Sequence, residues 1–322
     1  MHKRFEVILN PIAGAGRARL LVDRLARRLL HNGDTVNVFR TQAAGDARRR
    51  AAEIGRGDAD ALLVAGGDGT VSEVIDGLAA PAGPIDRGGH PPLALLPVGT
   101  ENLLARVLGA RPNIAQIEAT LHAGHLHEFD VARLARPADR GDAWDAGTGP
   151  HARGGQGHFM MVAGAGFDAE VVHRLALRRS GNISYADYVG PVVSTFLHYD
   201  YPALRVEADG ELICEQPALA FIGNIPRYAM GLPICHQARF DDGLLDLVVF
   251  KCCSRRQLLL HSLRTIRKRH LTHRDVVYRQ VRRAVIRAAA PVALQVDGDD
   301  CGQLPVEFSM PGLSVRLLAP AR

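Results

Sequence analysis

Four times in the first third of the chain, an apolar run with strand propensity ends in a glycine-containing turn and gives way to a helical pattern. "RFEVILN" leads through "PIAGAG" to "RARLLVDRLARRLLHNG", and "TVNVFRT" leads to "GDARRRAAEI". "ALLVAG" then passes through "GDG" into "TVSEVIDGLAA", and "PLALLPV" passes through "GT" into "TENLLARVLG". Few architectures accept this alternation. Each helix carries the chain back across the sheet, so the strands run mostly parallel and helices cover both faces. The turns that follow such strands share one sheet edge, where ligands of open α/β sheets bind. The first helix is expected to bury Leu20, Leu21, Leu25 and Leu29 on one face and to stop at Gly33.

After about Glu128 the pattern changes to strand-like runs separated by turns: "FMMVAGAGF", "ALRVEADGELICE", "ALAFIGNI", "LLDLVVF", "AVIRAAAP" and "VALQVDG". Asp209-Gly210 and Asp297-Gly298 have the composition of two-residue hairpin turns. The change predicts a second domain rich in antiparallel strands, as a length of 322 residues allows. Between Arg136 and His158 the chain has no periodicity, which predicts a long surface loop carrying the single tryptophan, Trp144.

Apolar residues make up 47% of the chain and charged residues 23%, the balance of a globular protein. No run approaches the ~18 apolar residues of a membrane-spanning helix, and the start of the chain has no leader-like apolar segment. A cytoplasmic location with only peripheral membrane contact is expected. Five cysteines without a CxxC pair argue against a disulfide framework or a zinc site. The net charge of +5 is carried almost wholly by arginine. Its densest stretch, Arg255 to Arg287, contains one acid, Asp275, and suits phosphates on an anionic membrane or on nucleic acid. Only 5% aromatic residues and no recognised module speak against nucleic acid as a partner.

The third turn, "GGDGT", carries the most chemical information. Glycines let successive backbone N–H groups line a concavity, and the following helix adds the positive end of its dipole, so the turn suits an anion. Thr70 and Glu73 also fit a capping box that only starts a helix. Capping alone leaves Asp68, a carboxylate among the glycines, without a role. No lysine lies between Lys3 and Lys251, so the lysine of a P-loop is missing. No GxGxxG opens a helix with an acid following, so a dinucleotide fold is disfavoured.

"NPIAGAG", "GGDGTVSEV", "LPVGTENLLAR", "FDDGLLDLVVF" and "VDGD", in this order, resemble the diacylglycerol kinase catalytic family, which includes bacterial lipid kinases related to sphingosine and ceramide kinases. "AGAGFDAEV" follows the same pattern, and the resemblance runs over nearly the whole chain. It implies an amino-terminal three-layer α/β domain that binds ATP, over 1–128 with 313–322 returning to it. A carboxy-terminal antiparallel β-sandwich over 129–312 would hold lipid, with the active site in the cleft between them. By this likeness ATP would be held by Asn10 and Gly14 on the first turn and Thr41 on the second. Gly66, Gly67, Asp68, Gly69, Thr70, Val71 and Ser72 on the third turn, with Thr100 and Asn102 on the fourth, would complete the site. Asp68 and Asp130 would belong to an aspartate network positioning Mg²⁺ and its waters. A structural magnesium would match the Arg239 carbonyl, the Asp242 side chain and the Leu244 carbonyl, hard oxygen donors that suit the ion. Read without the resemblance, that stretch is an Asp-Gly hairpin.

Two positions depart from the family. Its fourth motif, GTxNDFA, usually has an aspartate where this chain has Leu103, an absence shared with sphingosine-kinase-like members and a hint of an acceptor other than plain diacylglycerol. Its general base is the glutamate of DGE, and the matching residue here is Asp299. The missing methylene withdraws the carboxylate by ~1.5 Å. Either the turn sits closer to compensate, or activity is low; Asp300 could be recruited instead, or the segment could be only a turn. The expected activity is ATP- and Mg²⁺-dependent phosphorylation of a lipid hydroxyl at an anionic membrane surface. An NAD kinase-like phosphotransferase and a non-catalytic nucleotide- or lipid-binding regulator are the alternatives, and a homodimer is compatible with the lipid kinase as with both of these.

Overall fold

The computed structural model describes residues 2–80, 83, 85, 89–137, 156–177 and 185–321; Trp144 and most of the loop expected over 136–158 lie outside the described residues. The chain divides into two compact units, Met1–Val131 with Leu313–Arg322, and Ala132–Gly312.

In the first unit, strands β1 (Arg4–Leu9), β2 (Thr35–Arg40), β3 (Ala61–Gly66) and β4 (Leu93–Pro97) form a parallel sheet in the order β4-β3-β1-β2. Leu317, late in the chain, pairs in parallel with Leu93 beside it. The helices are α1 (Arg17–His31), α2 (Asp46–Glu53), α3 (Asp68–Leu78), α4 (Leu103–Leu108) and α5 (Ile114–Ala123). Alternation along each strand sends Phe5, Val7 and Leu9, with Leu63, Ala65, Ala94 and Leu96, into one core with α1 and α5. Ile8, Leu62 and Val64 are equally buried on the opposite face. The buried stripe of α1 is Ala18, Val22, Leu25 and Leu29, whereas Leu20 is 62% exposed. Stepping back by helical turns from Leu25 and Leu29 reaches Val22 and Ala18, so the expected placement of Leu20 on that face is wrong. Gly33 ends the helix with a φ of 88°, as expected.

Strand β5 (His125–Ala135) runs from the first unit into the second, where the chain continues through β6 (Gln156–Phe159), β7 (Val162–Ala165), α6 (Phe167–Leu177) and α7 (Tyr185–His198). Then follow β8 (Ala203–Ala208), β9 (Glu211–Gly223), β10 (Leu245–Lys251), α8 (Arg255–Ile266), β11 (Val276–Val281), β12 (Arg283–Ala288), β13 (Ala293–Val296), β14 (Asp299–Gln303) and β15 (Val306–Ala319). Strand β9 belongs to two sheets. Its first half pairs antiparallel with β8 through Pro217, and from Ala218 onward it pairs with β7 and β10. Leu204, Val206, Ile286 and Phe308 from one sheet share a core with Ala163, Ile222, Leu247, Val249 and Leu294 from the other. That shared core makes a β-sandwich, the fold class expected. Both Asp-Gly pairs form hairpins: Asp209 and Gly210 have φ of 47° and 87°, Asp297 and Gly298 of 52° and 89°. Positive φ at both central residues defines the type I′ turn, whose twist matches its strands.

The basic stretch from Arg255 to Arg287 is not one face. It divides into α8 and the strands β11 and β12. Helix α8 buries Leu258, His261 and Thr265 but leaves Leu259, Leu260, Leu263 and Ile266 between 38% and 61% exposed. Arg255, Arg256, Arg267, Lys268 and Arg269 are exposed on and just beyond it. Beneath it, the Phe250 ring meets His261 edge-on and stacks on His270, which in turn contacts His236. Burial holds all three histidines below the usual imidazole range. Among the described residues, no helix is long and apolar enough to cross a membrane.

Gly77 of α3 is buried where a Cβ would strike the Arg48 carbonyl oxygen of α2. In an open helix Gly→Ala stabilises by about 1 kcal/mol. Here the added methyl meets backbone, and overpacking costs about 1–3 kcal/mol. Gly77→Ala is therefore expected to lower the thermal unfolding temperature, a sign opposite to helix propensity; a higher temperature would show that α2 and α3 can move apart freely.

Candidate functional site

At the carboxyl edge of the parallel sheet, three glycine turns touch through backbone. A Cβ on Gly14 would lie 2.5 Å from the Val98 oxygen, and one on Gly99 would lie 2.6 Å from the Gly67 Cα. The first, third and fourth turns thus reach one another where any side chain would separate them. Asn10 adds a polar tie: its N–H donates to the Ala65 oxygen at 2.9 Å and its side-chain amide donates to the Thr70 hydroxyl at 3.2 Å. The second turn joins the same edge, with the Thr41 N–H donating to the Leu9 oxygen at 2.9 Å. Its loop is closed by Asp46, which accepts the Gln42 and Ala43 N–H groups and is held below the usual carboxylate range by them.

A narrow pocket here is lined by Gly66, Gly67, Asp68, Val71, Pro97 and Asn102, among others. Gly69 and Thr100 are exposed, while Ser72 is 3% exposed inside α3. The Asn102 side chain is spent on its own turn, accepting from the Gly99 N–H at 2.9 Å and donating to the Gly99 oxygen at 2.7 Å. The capping-box expectation is overturned. Helix α3 starts at Asp68 after Gly67, so Thr70 lies inside the first turn, and its hydroxyl meets Asn10.

Asp68 does something its sequence position does not suggest. Its carboxylate faces the backbone N–H groups of Leu103, Asn102 and Leu104 at the amino end of α4, which has no side-chain cap of its own. Burial nevertheless pushes its pKa up to about 6, because these donors do not offset lost hydration and the nearby Glu101 adds to the rise. Leu103, where the family has aspartate, is buried at 7% exposure. Asp130 is half-buried on β5 between the buried Phe129 and Val131. No three Asp, Glu, His or Cys side chains among the described residues are grouped to hold a metal. A partly exposed Asp68 beside a pocket still fits Mg²⁺, which keeps several waters and takes one or two carboxylates with substrate phosphates. The only lysine near the amino terminus, Lys3, donates to the Leu121 and His122 carbonyls and is structural.

In the second unit, Asp299 and Asp300 project to opposite sides of β14. Asp299 is half-exposed; Asp300 is buried, with His173 of α6 at 2.9 Å. Asp242 accepts the Leu244 N–H at 3.1 Å and the Gln280 amide at 3.2 Å, while Arg239 reaches Asp241 at 3.3 Å. The stretch is not a hairpin, since no strand precedes Asp242-Gly243 and β10 follows it. Sequence reasoning passed over Asp246, which is fully buried with the Tyr278 hydroxyl at 2.5 Å and a pKa pushed up to about 6 by burial. It also passed over Asp168, at the start of α6, raised to about 7 by burial. Both lie in quoted motifs, and the apolar residues around them were the available signal.

A parallel sheet with converging glycine turns, followed by a β-sandwich unit, defines a two-domain architecture of α/β and β-sandwich parts. The model of the diacylglycerol kinase catalytic domain matches residues 4–134, and that of the YegS C-terminal NAD kinase beta sandwich-like domain matches residues 161–319. The chain belongs to the diacylglycerol kinase catalytic domain family, and its activity class is that of a kinase. It is 26% identical over 308 residues to a diacylglycerol kinase of Bacillus subtilis (strain 168), covering 95% of this chain and 93% of that one. It is 24% identical to a diacylglycerol kinase of Staphylococcus carnosus (strain TM300), covering 96% and 92%. A solved diacylglycerol kinase structure from Bacillus anthracis str. Sterne shares the fold with a TM-score of 0.66 at 21% identity, covering 98% and 96%. A second structure from that organism gives 0.71 at 23% identity, covering 99% and 96%.

Because its pKa is raised from 3.8 to about 6, folded Asp68 holds a proton that the unfolded chain releases. Its contribution to stability is therefore greatest below pH 3.8 and lost as pH rises to about 6. Thermal unfolding of wild type and Asp68→Asn is expected to shift in favour of the variant between pH 4 and pH 7. A difference that does not change with pH would mean that Asp68 is hydrated in the fold.

Proposed function

We propose that this protein transfers the γ-phosphoryl group of ATP to the hydroxyl of a diacylglycerol- or sphingosine-like lipid at an anionic membrane surface. The observation that carries the reading is the backbone contact of the Gly14, Gly67 and Gly99 turns around a partly exposed Asp68. Such turns offer N–H groups to phosphates without a lysine. Asp68 and Asp130 would hold Mg²⁺, which supplies charge neutralisation on the β- and γ-phosphates when bound. Asp299 takes the proton of the lipid hydroxyl as it attacks, and Asp300, engaged by His173, is not available for that role. The names of the relatives support a glycerolipid acceptor, and Leu103 leaves room for a sphingoid one.

Helix α8 is the proposed docking element on the cytoplasmic side of the membrane. Its exposed Leu259, Leu263 and Ile266 recur at helical spacing, and the cations around them suit anionic headgroups at about 1 kcal/mol each. An amphipathic helix of this kind lies in the interface rather than spanning it.

Labelled ATP and a panel of diacylglycerol, sphingoid bases, ceramide and NAD would separate the readings. A phosphorylated lipid is expected, with Asp68→Ala and Asp299→Asn each lowering the rate at least ~100-fold. Phosphorylation of NAD alone would establish the dinucleotide activity instead, and nucleotide binding without any product would establish a regulator. The lipid-kinase rate is also expected to fall as pH drops below about 6, where Asp68 gains its proton.

Sedimentation with phosphatidylglycerol vesicles is expected to capture the protein at low salt and release it at high salt. Replacing Leu263 and Ile266 by serine should weaken capture without changing the salt dependence. Equal binding to phosphatidylcholine vesicles would remove the electrostatic part of the docking model.

A further inference from the structure

The turn that carries Asp299 is held more tightly than a hairpin requires. Asp297 Oδ1 accepts the N–H groups of Met161 and Val162, each at 3.0 Å, and Oδ2 accepts that of Met160 at 3.3 Å. The Asp297 N–H donates to the Val162 oxygen at 3.0 Å. The Gly298 N–H, which has no ladder partner in a two-residue turn, donates at 3.0 Å to Oε1 of Gln295, a side chain with no exposed surface. The other Asp-Gly hairpin supplies a comparison within the same molecule. Asp209 accepts the Arg282 and Arg283 N–H groups much as Asp297 does, but that turn is exposed, and no side chain among the described residues takes the Gly210 N–H. The buried amide is specific to the turn next to Asp299.

Gln295 is itself oriented from beneath. Its amide nitrogen faces the Val162 oxygen at 3.5 Å and the carboxyl of Asp168. Both Asp168 oxygens are buried, and the Gln295 amide and Tyr228 hydroxyl face them outside ordinary hydrogen-bond geometry. Room for the pair comes from Gly164, paired with Gln295 across the sheet, where a Cβ would collide with Asp168 Oδ2 and lie 2.8 Å from the Gln295 nitrogen. A carboxylate attracts the amino end of the amide and repels its oxygen, so it turns Oε1 toward the Gly298 N–H.

We propose that Gln295, oriented by Asp168, is a positioning residue that fixes the backbone turn from which Asp299 reaches the acceptor hydroxyl. The inference rests on the reading of Asp299 as general base. An aspartate has one torsion fewer than the glutamate of the family motif, so it recovers less of a backbone displacement by changing rotamer. Its carboxylate goes where the turn goes. Small displacements at a reacting centre cost about 100-fold in rate. Asp168 is also placed to make the effect depend on pH, since burial brings its ionisation to about 7. Tyr228 and Tyr199 face it from the segments around them, Asp297 lies beyond Tyr228, and Glu170 sits on its own helix beside His173, which is engaged by Asp300.

The test is lipid-phosphorylation kinetics with the full chain, comparing wild type, Gln295→Met, Asp168→Asn and Asp299→Asn across pH 5.5 to 8.5. Gln295→Met is expected to lower kcat about 100-fold with the KM for ATP unchanged. Asp168→Asn is expected to lower kcat less and to erase the part of the wild-type rise in kcat centred near neutral pH. Wild-type kcat in a folded Gln295→Met, alongside an inactive Asp299→Asn, would overturn the positioning role and leave the base assignment standing. An active Asp299→Asn would overturn the base assignment and the positioning role with it. Should Gln295→Met fail to fold, Asp168→Asn decides alone: an unchanged kcat and pH profile overturn the proposal.

Discussion

No side chain fits on Gly14 or Gly99 if the turns they occupy are to meet. The Gly99 Cα faces the Gly67 Cα, and Gly14 faces the Val98 carbonyl, so three strand ends are gathered by backbone contact, with the Asn10 side chain tying the first to the third. Helix α3 starts directly after Gly67, and the pocket beside Asp68 exists because those turns are bare. The same absence of side chains exposes backbone N–H groups at that edge, donors that suit an anion without the lysine of a P-loop.

Aspartate does much of the remaining structural work. Asp46 closes the second turn, Asp68 faces the amino end of α4, and Asp209 and Asp297 each hold a hairpin to a neighbouring segment by accepting two or more backbone N–H groups. A carboxylate does this well because it accepts several donors and strengthens each of them. Asp46, hydrogen-bonded by the Gln42 and Ala43 N–H groups and Arg49, stays below the usual carboxylate range, whereas Asp68 is pushed above it by burial. Asp68 therefore sits at a helix amino end as a readily protonated group at the pocket.

The fold class was legible because it depends on period and punctuation. Alternating apolar runs and glycine turns gave the parallel sheet, and Asp209-Gly210 and Asp297-Gly298 gave two hairpins. What escaped sequence reasoning depends on contacts between distant residues. Helix α3 begins at Asp68 rather than after Thr70, and the Thr70 hydroxyl instead meets Asn10, sixty positions away. Leu20 was assigned to a buried face because leucine is common there, although the smaller Ala18 occupies the position in contact with the sheet. The basic stretch looked like one surface since charge carries no period, and only the pairing of β11 with β10 divides it. Gln295 gave no sequence signal at all; an uncharged amide in a strand acquires meaning only from the turn and the carboxyl on either side of it.

The return of the chain's last strand has a consequence for synthesis. Leu317 pairs with Leu93 and Leu318 packs in the first unit's core, yet both follow the whole of Ala132–Gly312 in sequence. A ribosome delivering the chain from its amino end presents the β-sandwich as one uninterrupted segment, while the parallel sheet emerges early and waits for its closing strand. The order of completion is thus the reverse of the order of appearance. Until the residues after Gly312 arrive, the first unit stays open along β4.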